Sequence, residues 1–320
     1  MTRTILAALA ALGLLAAPVR AEEIHLSHYG EVMPSIPWAV AFARGMFKAN
    51  GVDVTGAISS QGGGTTIRNM LAGGVGFGES AGGATVAGIN AGLPVKIVGV
   101  GSDSAADYAW VVPNASPLKT MKDAKGKKFG ITTPGGVTYV YALLLLKQAG
   151  LTLDDVTAVP VGTGAGLAAL DSGAIDTSYE YEPLYSRDEA KYRIIANVGD
   201  VMPRIVTLFL VATQDLIDKQ PDKLRAILLT HKQAVDFIYS SPKQAADIAA
   251  KDMVGVDQAV VERSVARLAA VKYWSNGGFD KAALGNLNTV LNLPGEAKGN
   301  VDFAAMTDDR FLPAGAQHLK

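Results

Sequence analysis

The sequence predicts an α/β fold in two related lobes, and three observations carry that reading. Strand-like and helix-like stretches alternate through the first two thirds of the chain. Glycine-rich turns separate them. One turn–helix–strand phrase, GGGTTIRNMLAGGVGFGE from Gly62, returns about one domain length later as GTGAGLAALDSGAIDTSYE from Gly162. Alternation of this kind builds mostly parallel sheets with helices on both faces.

Ile24-His25-Leu26-Ser27 reads as the first strand, ending at Tyr29-Gly30. Ser35 is placed to cap a helix with Pro37 in its first turn, and Ile36, Val40, Ala43 and Phe47 fall on one face. Asn50-Gly51 closes that helix before a strand that starts at Val52-Asp53-Val54. Gly62-Gly63-Gly64 leads into a short helix over 65–72. A strand at Val75-Gly76-Phe77 then delivers a GESAG loop and a small-residue helix ending near Gly92. Residues 95–99 and 108–112 are strand-like.

The pattern then restarts. A strand over 128–132 meets the turn Thr133-Pro134-Gly135-Gly136, followed by a helix over 137–148 that Gly150 closes. A strand over 156–161, the turn Gly162-Thr163-Gly164 and a helix over 165–171 come next. From Pro221 onward the chain reads as helical, with Leu224, Ile227, Leu228, Val235 and Ile238 striping one long helix. Two more helices are expected over 243–250 and 258–271.

The chain opens Met1-Thr2-Arg3, runs apolar to Ala17 and ends that run with Pro18-Val19-Arg20-Ala21. This is the pattern of a secretory signal peptide over residues 1–21, cut after Ala21. With no cysteine in the chain, a lipid-bearing cysteine, a disulfide and a thiolate nucleophile are all excluded. Cleavage removes Arg3 and Arg20 and no acid, leaving 27 basic against 30 acidic side chains. A weakly negative surface is no footprint for nucleic acid. The expectation is an exported, periplasmic, monomeric protein.

VGFGESAGG, residues 75–83, matches the G-x-S-x-G nucleophile elbow and makes Ser80 a candidate serine esterase nucleophile. The triad then needs a later acid and histidine, and only His231 and His318 follow. His231 lies near the apolar stripe of a helix and His318 in the terminal tail, so neither fits well. His25 and His28 fall on opposite faces of a strand with no third ligand, so no metal and no cofactor is expected. None of the three glycine turns is a P-loop, because no Gly-Lys-Ser/Thr follows. Each leaves backbone N–H groups free at a helix start, where an oxyanion or polar acceptor binds. In Tyr179-Glu180-Tyr181-Glu182-Pro183 the tyrosines share one strand face and the glutamates the other, which suits a hinge, a pocket wall or an exposed strand end.

Three passages resemble a known family: AVAFARGMFKANGVDV from Ala39, LKTMKDAKGKKFGITTPGGVTYVYALLLLKQAGLTLDDVTAVPVG from Leu118, and LVATQDLIDKQPDKLRAILLTHKQAVDFI from Leu210. They are similar, in order and over nearly the whole mature chain, to solute-binding proteins of ABC importers in the nitrate/sulfonate/taurine group with its pyrimidine-binding relatives. The resemblance implies a two-lobed periplasmic-binding-protein fold of type II, closing by a hinge on a small-molecule ligand that it delivers to a membrane permease. It implies a first lobe of residues 22–110 plus 206–320 and a second of 111–205. It also places AGGVGFGESAGG where that family lines its crevice. Carried over by position, the contacts are Tyr29, Ser35, Gly63, Gly64, Thr65, Glu79 and Ser80. Across the cleft they are Thr133, Gly135, Gly136, Thr138, Tyr179 and Glu182. If Glu79, Glu180 and Glu182 face the cleft, they repel a sulfonate or nitrate and suit an amine or nitrogen ring, and the expectation leans that way.

Overall fold

The computed structural model describes residues 22–131, 137–161, 165–253, 255–293 and 299–319. The expected signal peptide and the turns expected at 132–136 and 162–164 lie outside those residues. The chain begins β1 (Glu22–Ser27), α1 (Ile36–Ala43), α2 (Met46–Ala49), β2 (Val54–Ser60) and α3 (Gly63–Ala72). It continues β3 (Phe77–Ala81), α4 (Gly82–Asn90) and β4 (Val95–Ser102). A middle section holds β5 (Tyr108–Pro113), β6 (Lys128–Ile131), α5 (Val137–Gln148), β7 (Thr157–Pro160) and α6 (Gly166–Asp171). It ends with β8 (Ser178–Tyr181), α7 (Leu184–Asp188), β9 (Tyr192–Asn197) and α8 (Val198–Val201). The last section is β10 (Leu208–Thr213), α9 (Gln214–Lys219), α10 (Pro221–Ser240), α11 (Pro242–Asp252), α12 (Gln258–Ala270), β11 (Trp274–Gly277), α13 (Lys281–Asn292) and α14 (Phe303–Met306). Among the described residues no helix is long and apolar enough to cross a membrane.

The larger sheet has the order β11-β4-β10-β3-β1-β2, and a smaller set pairs as β8-β5-β9 and β6-β7. A bridge from Phe129 to Thr177 joins the two smaller pieces. In the larger sheet β1, β2, β3 and β4 share one direction, while β10 and β11 oppose them. The sheets are therefore mixed, and the reason is topological. The chain leaves β4 at the end where the parallel strands finish, builds the middle section, and re-enters at that same end. The returning strand has to run antiparallel.

Two predicted elements differ in detail. The single helix expected from Ser35 to Phe47 is two helices, because Gly45 takes a left-handed conformation at φ 63° and restarts the chain. Ser35 does not cap it. Its hydroxyl donates to the Val32 carbonyl at 2.7 Å, inside the turn. The GESAG stretch, read from its glycines as a loop, is largely strand, since Phe77–Ala81 pairs with β1 and with β10. The long helix keeps its expected stripe, with Leu224, Ile227, Leu228, Val235 and Ile238 all buried.

Two cores flank the larger sheet. One packs Trp38, Phe47 and Phe77 with the stripe of α10 and with α11 and α12. The other runs from α3 and α4 through Leu284 and Leu287 of α13 to Leu145, Trp110 and Phe129 in the middle section, so it is continuous across both sheets. Two crossover segments lie side by side: Ile205 N–H donates to the Asp103 carbonyl at 2.9 Å, and Arg204 reaches the Asp103 carboxylate at 2.8 Å. A separate tie forms at Glu182, which is 0 % exposed. Its carboxylate accepts from Ser186 of α7 and from Ser264 of α12, each at 2.8 Å, with Arg267 of α12 at 3.5 Å.

A donor to a buried carboxylate is expensive to lose. Ser264→Ala should therefore cost about 2 kcal/mol, a fall of roughly 4–8 °C in melting temperature for a chain of this size. Arg267→Ala, at a half-exposed side chain, should cost clearly less. Differential scanning calorimetry of the two variants checks the order.

Candidate ligand-binding site

The parallel strands β1, β2 and β3 end at one edge of the larger sheet, where ligands bind in open α/β sheets. The turn after β1 is fixed by two left-handed residues, His28 at φ 55° and Gly30 at φ 77°. A Cβ on Gly30 would lie 3.0 Å from the Asp252 carbonyl oxygen, so the turn docks on the end of α11. Tyr29 turns the same way. Its hydroxyl donates to the Asp252 carboxylate at 2.7 Å and its ring sits edge-on to Phe42. Burial, followed by the bond to Asp252, raises its pKa.

The turn after β2 supplies donors without acceptors, at buried Gly63 and half-buried Gly64. Gly62, at φ 91°, lets the chain enter α3 directly, and the N–H groups of Thr65 and Thr66 already bond back to its carbonyl. The Gly63 and Gly64 N–H groups have no acceptor among the described residues. They stand at the positive end of a ten-residue helix. Arg68 joins them. Side chains on a helix lean toward its N-terminus, and the Arg68 guanidinium donates to Thr65 Oγ1 at 3.0 Å, over the first turn. It is exposed there. Arg68 falls inside the helix expected over 65–72, and its three-residue offset from Thr65 is the sequence signal that brings it to the first turn.

Ser80 serves this turn from behind. It is buried, and its hydroxyl donates to the Gly63 carbonyl at 3.2 Å. A Cβ on Gly63 would lie 2.7 Å from that hydroxyl and 2.8 Å from the Ala81 nitrogen. The strand leaves Ser80 on an ordinary ladder opposite Phe209, with no elbow. No histidine bonds to it among the described residues. His231 is buried in the face of Trp38, ring centroids 4.9 Å apart, and His318 lies near Asp309. The residues of an esterase triad are not assembled.

Glu79, one residue earlier, points to the opposite face. It reaches across β10 to lie against Gly101, and the Trp38 indole N–H donates to its carboxyl. Burial pushes its pKa up to about 8, while the Trp38 bond opposes that rise. Burial likewise pushes His231 down to about 3, and neither of its ring nitrogens has a hydrogen-bond partner among the described residues. Both groups are neutral near pH 7, which is how the interior tolerates them without a counter-ion.

The remaining candidates belong to the middle section. Thr138 is buried in the first turn of α5, and Tyr179 is buried edge-on to Trp110. Thr133, Gly135 and Gly136 lie outside the described residues. Tyr181, half-buried, packs near Tyr108, which meets Tyr141 edge-on at 5.3 Å. Burial raises the Tyr181 pKa, and the carboxylates of Glu180 and then Glu31 add to the rise. Glu31 belongs to the turn after β1, so that turn and the middle section approach one another there. Glu182 is held by its serines and Arg267, and Glu180 faces a different pocket. The three glutamates whose repulsion argued for an amine are thus turned away from the donors at the start of α3.

The family model described as NMT1/THI5 like matches residues 34–245. A protein of Brucella abortus (strain 2308) named "Putative binding protein" is 27 % identical over 229 residues, 70 % of this chain and 69 % of that one. The periplasmic aliphatic sulphonate binding protein SsuA from Escherichia coli superposes with a TM-score of 0.76 at 18 % identity, covering 93 % of this chain and 96 % of its own. The desulfurization enzyme DSZB does so at 0.68 and 15 % identity, covering 91 % and 97 %. Both share the periplasmic-binding-protein fold with this chain.

The raised Glu79 pKa has a definite sign. The unfolded carboxyl ionises near its ordinary 4.5 while the folded one stays protonated to about 8. The folded state then binds the extra proton, so this group costs stability progressively as pH rises through that interval and fully above it. Glu79→Gln keeps an acceptor for Trp38 and removes the titration. Thermal melts should show the wild type losing stability from pH 6 to 9 and the variant losing less, by on the order of a few kcal/mol. For the turn, Gly63→Ala should lower the melting temperature through overpacking of about 1–3 kcal/mol, whereas Gly64→Ala meets only Arg68 at 3.6 Å and should fold normally.

Proposed function

Since the chain belongs to the NMT1/THI5-like family, we propose that it is the substrate-binding component of an ABC importer. It works in the periplasm, takes a small organic oxyanion into the cleft between its two sheets and hands it to a membrane permease. The observation that carries the ligand class is the start of α3, where the Gly63 and Gly64 N–H groups have no acceptor among the described residues and the Arg68 guanidinium lies beside them. Such a cluster recognises a sulfonate or carboxylate. The sulphonate named for the similar Escherichia coli structure agrees with this chemistry. Tyr181 and Tyr108 offer an aromatic wall for the organic part of the ligand.

Binding without chemistry follows from the residues that chemistry would need. Ser80 is buried behind the turn, Glu79 is a neutral carboxyl beneath it, and the chain has no cysteine. Closure of the sheets would proceed about the paired crossovers at Asp103 and Arg204, with Glu182 and α12 limiting it.

A thermal-shift panel of alkanesulfonates, taurine, aromatic sulfonates and carboxylates, nitrate and amines tests the reading. Ligand at a hundred times its Kd adds about 2.7 kcal/mol, so a rise of several degrees is expected with a sulfonate or carboxylate. Arg68→Ala should weaken that ligand by roughly 10- to 100-fold, the worth of one charge-assisted hydrogen bond. A rise with amines alone would sink the oxyanion assignment.

A further inference from the structure

Glu180 points away from the cleft into a pocket of about 340 Å³ between β8, β9, α7 and α12. Val111 and Ile194 form apolar surface there, Tyr185 and Tyr192 are aromatic walls, and Arg267 reaches in from α12. Its lining includes none of the residues that begin α3 or end β1 and β3.

The cations around the pocket already have acceptors. Arg193 donates to the carbonyls of Asn114, Ser116 and Leu118. Arg187 pairs with Asp188 at 2.6 Å. Arg267 lies over the Tyr185 ring and against Glu182 and Glu189. Glu180 is in the opposite condition. It is only 5 % exposed, and one carboxylate oxygen takes the Tyr181 N–H at 3.1 Å. The other oxygen has no hydrogen-bond partner among the described residues. The Tyr185 hydroxyl is buried without a hydrogen-bond partner among the described residues, with Glu182 and Arg267 beside it.

A largely buried carboxylate that faces a pocket is stabilised when a donor reaches its second oxygen. Aromatic walls beside it favour a cation whose remainder is apolar, and the volume is that of a small-molecule site. We propose that this pocket is a second binding site, separate from the cleft, for a small primary ammonium carried on a ring or short chain. Its walls come from β8, β9 and α7 on one side and α12 on the other, so an occupant sits across the junction that Glu182 ties. Burial raises the Glu180 pKa to about 7; the Tyr181 N–H and Arg187 oppose the rise and Asp188 adds to it. Glu189, Arg193 and Arg267 complete the charges lining the pocket.

Benzylamine, with benzyl alcohol as its neutral counterpart, is titrated into the whole mature chain by isothermal calorimetry. Saturable binding of the amine and not the alcohol is expected, tightening several-fold from pH 6 to 8 as the carboxylate ionises. Glu180→Gln should weaken it at least tenfold while leaving the response to the sulfonate panel unchanged. Ile194→Trp, which fills the mouth from an exposed position, should do the same without touching the carboxylate, and it decides the matter if Glu180→Gln folds poorly. No binding to the wild type, equal binding of the alcohol, or binding that survives Ile194→Trp overturns the proposal.

Discussion

The insertion of β10 between β3 and β4 is the constraint on which the rest of the structure depends. Without Leu208–Thr213 the larger sheet has no ladder joining its two halves, because β3 and β4 each pair with β10 and not with each other. The strand's direction is forced by the path of the chain, which leaves and re-enters at one edge. That path also brings both crossovers together, with Thr207 bonded to the Ser102 carbonyl and Ile205 to that of Asp103. Two short segments, hydrogen-bonded to one another, are the covalent links between the sheets.

The same ladder packs backbones so closely that several positions admit no side chain. A Cβ on Gly78 would run into the His25 carbonyl, one on Gly63 into Ser80 and Ala81, and one on Gly101 into the Glu79 carboxyl. Where backbones pack this closely, the groups left for the proposed ligand are backbone N–H groups and whatever long side chain can reach over from the next turn, here Arg68. Polar residues that sequence alone would assign to the ligand are drawn into support. Ser80 props the start of α3, Tyr29 anchors its turn on Asp252, and Ser35 closes that turn on Val32.

Much of the fold was legible because its signals are local. The stripe of α10 and the glycine stops at Gly51 and Gly150 need only neighbouring residues to be read. The two-residue period of a strand separates Glu79 from Ser80, and Glu180 from Tyr181. What was not legible depends on distant partners. Glycines at 76, 78, 82 and 83 made Glu79-Ser80 look like an exposed loop, yet a strand that packs against the His25 carbonyl requires glycine at 78. Whether Glu79 faces ligand or core is decided by Trp38, 41 residues earlier, and the fate of Glu182 by Ser264, 82 residues later. No window of sequence contains those pairs.

Glu79 also bears on the electrostatics of the proposed site. A carboxylate beneath the start of α3 would oppose an incoming oxyanion through a low-dielectric floor, where charges act more strongly than in water. Protonation removes that opposition, and burial in the Trp38 core is what keeps the proton on up to about pH 8. His231, neutral for the same reason, adds no compensating positive charge. At the start of α3 the helix terminus and Arg68 both favour an anion, while Glu31 stands farther off, in the turn after β1 beside Tyr181. The burial that makes Glu79 a cost to the fold therefore leaves an uncharged floor, on which backbone donors can select a ligand by the geometry of its oxygens.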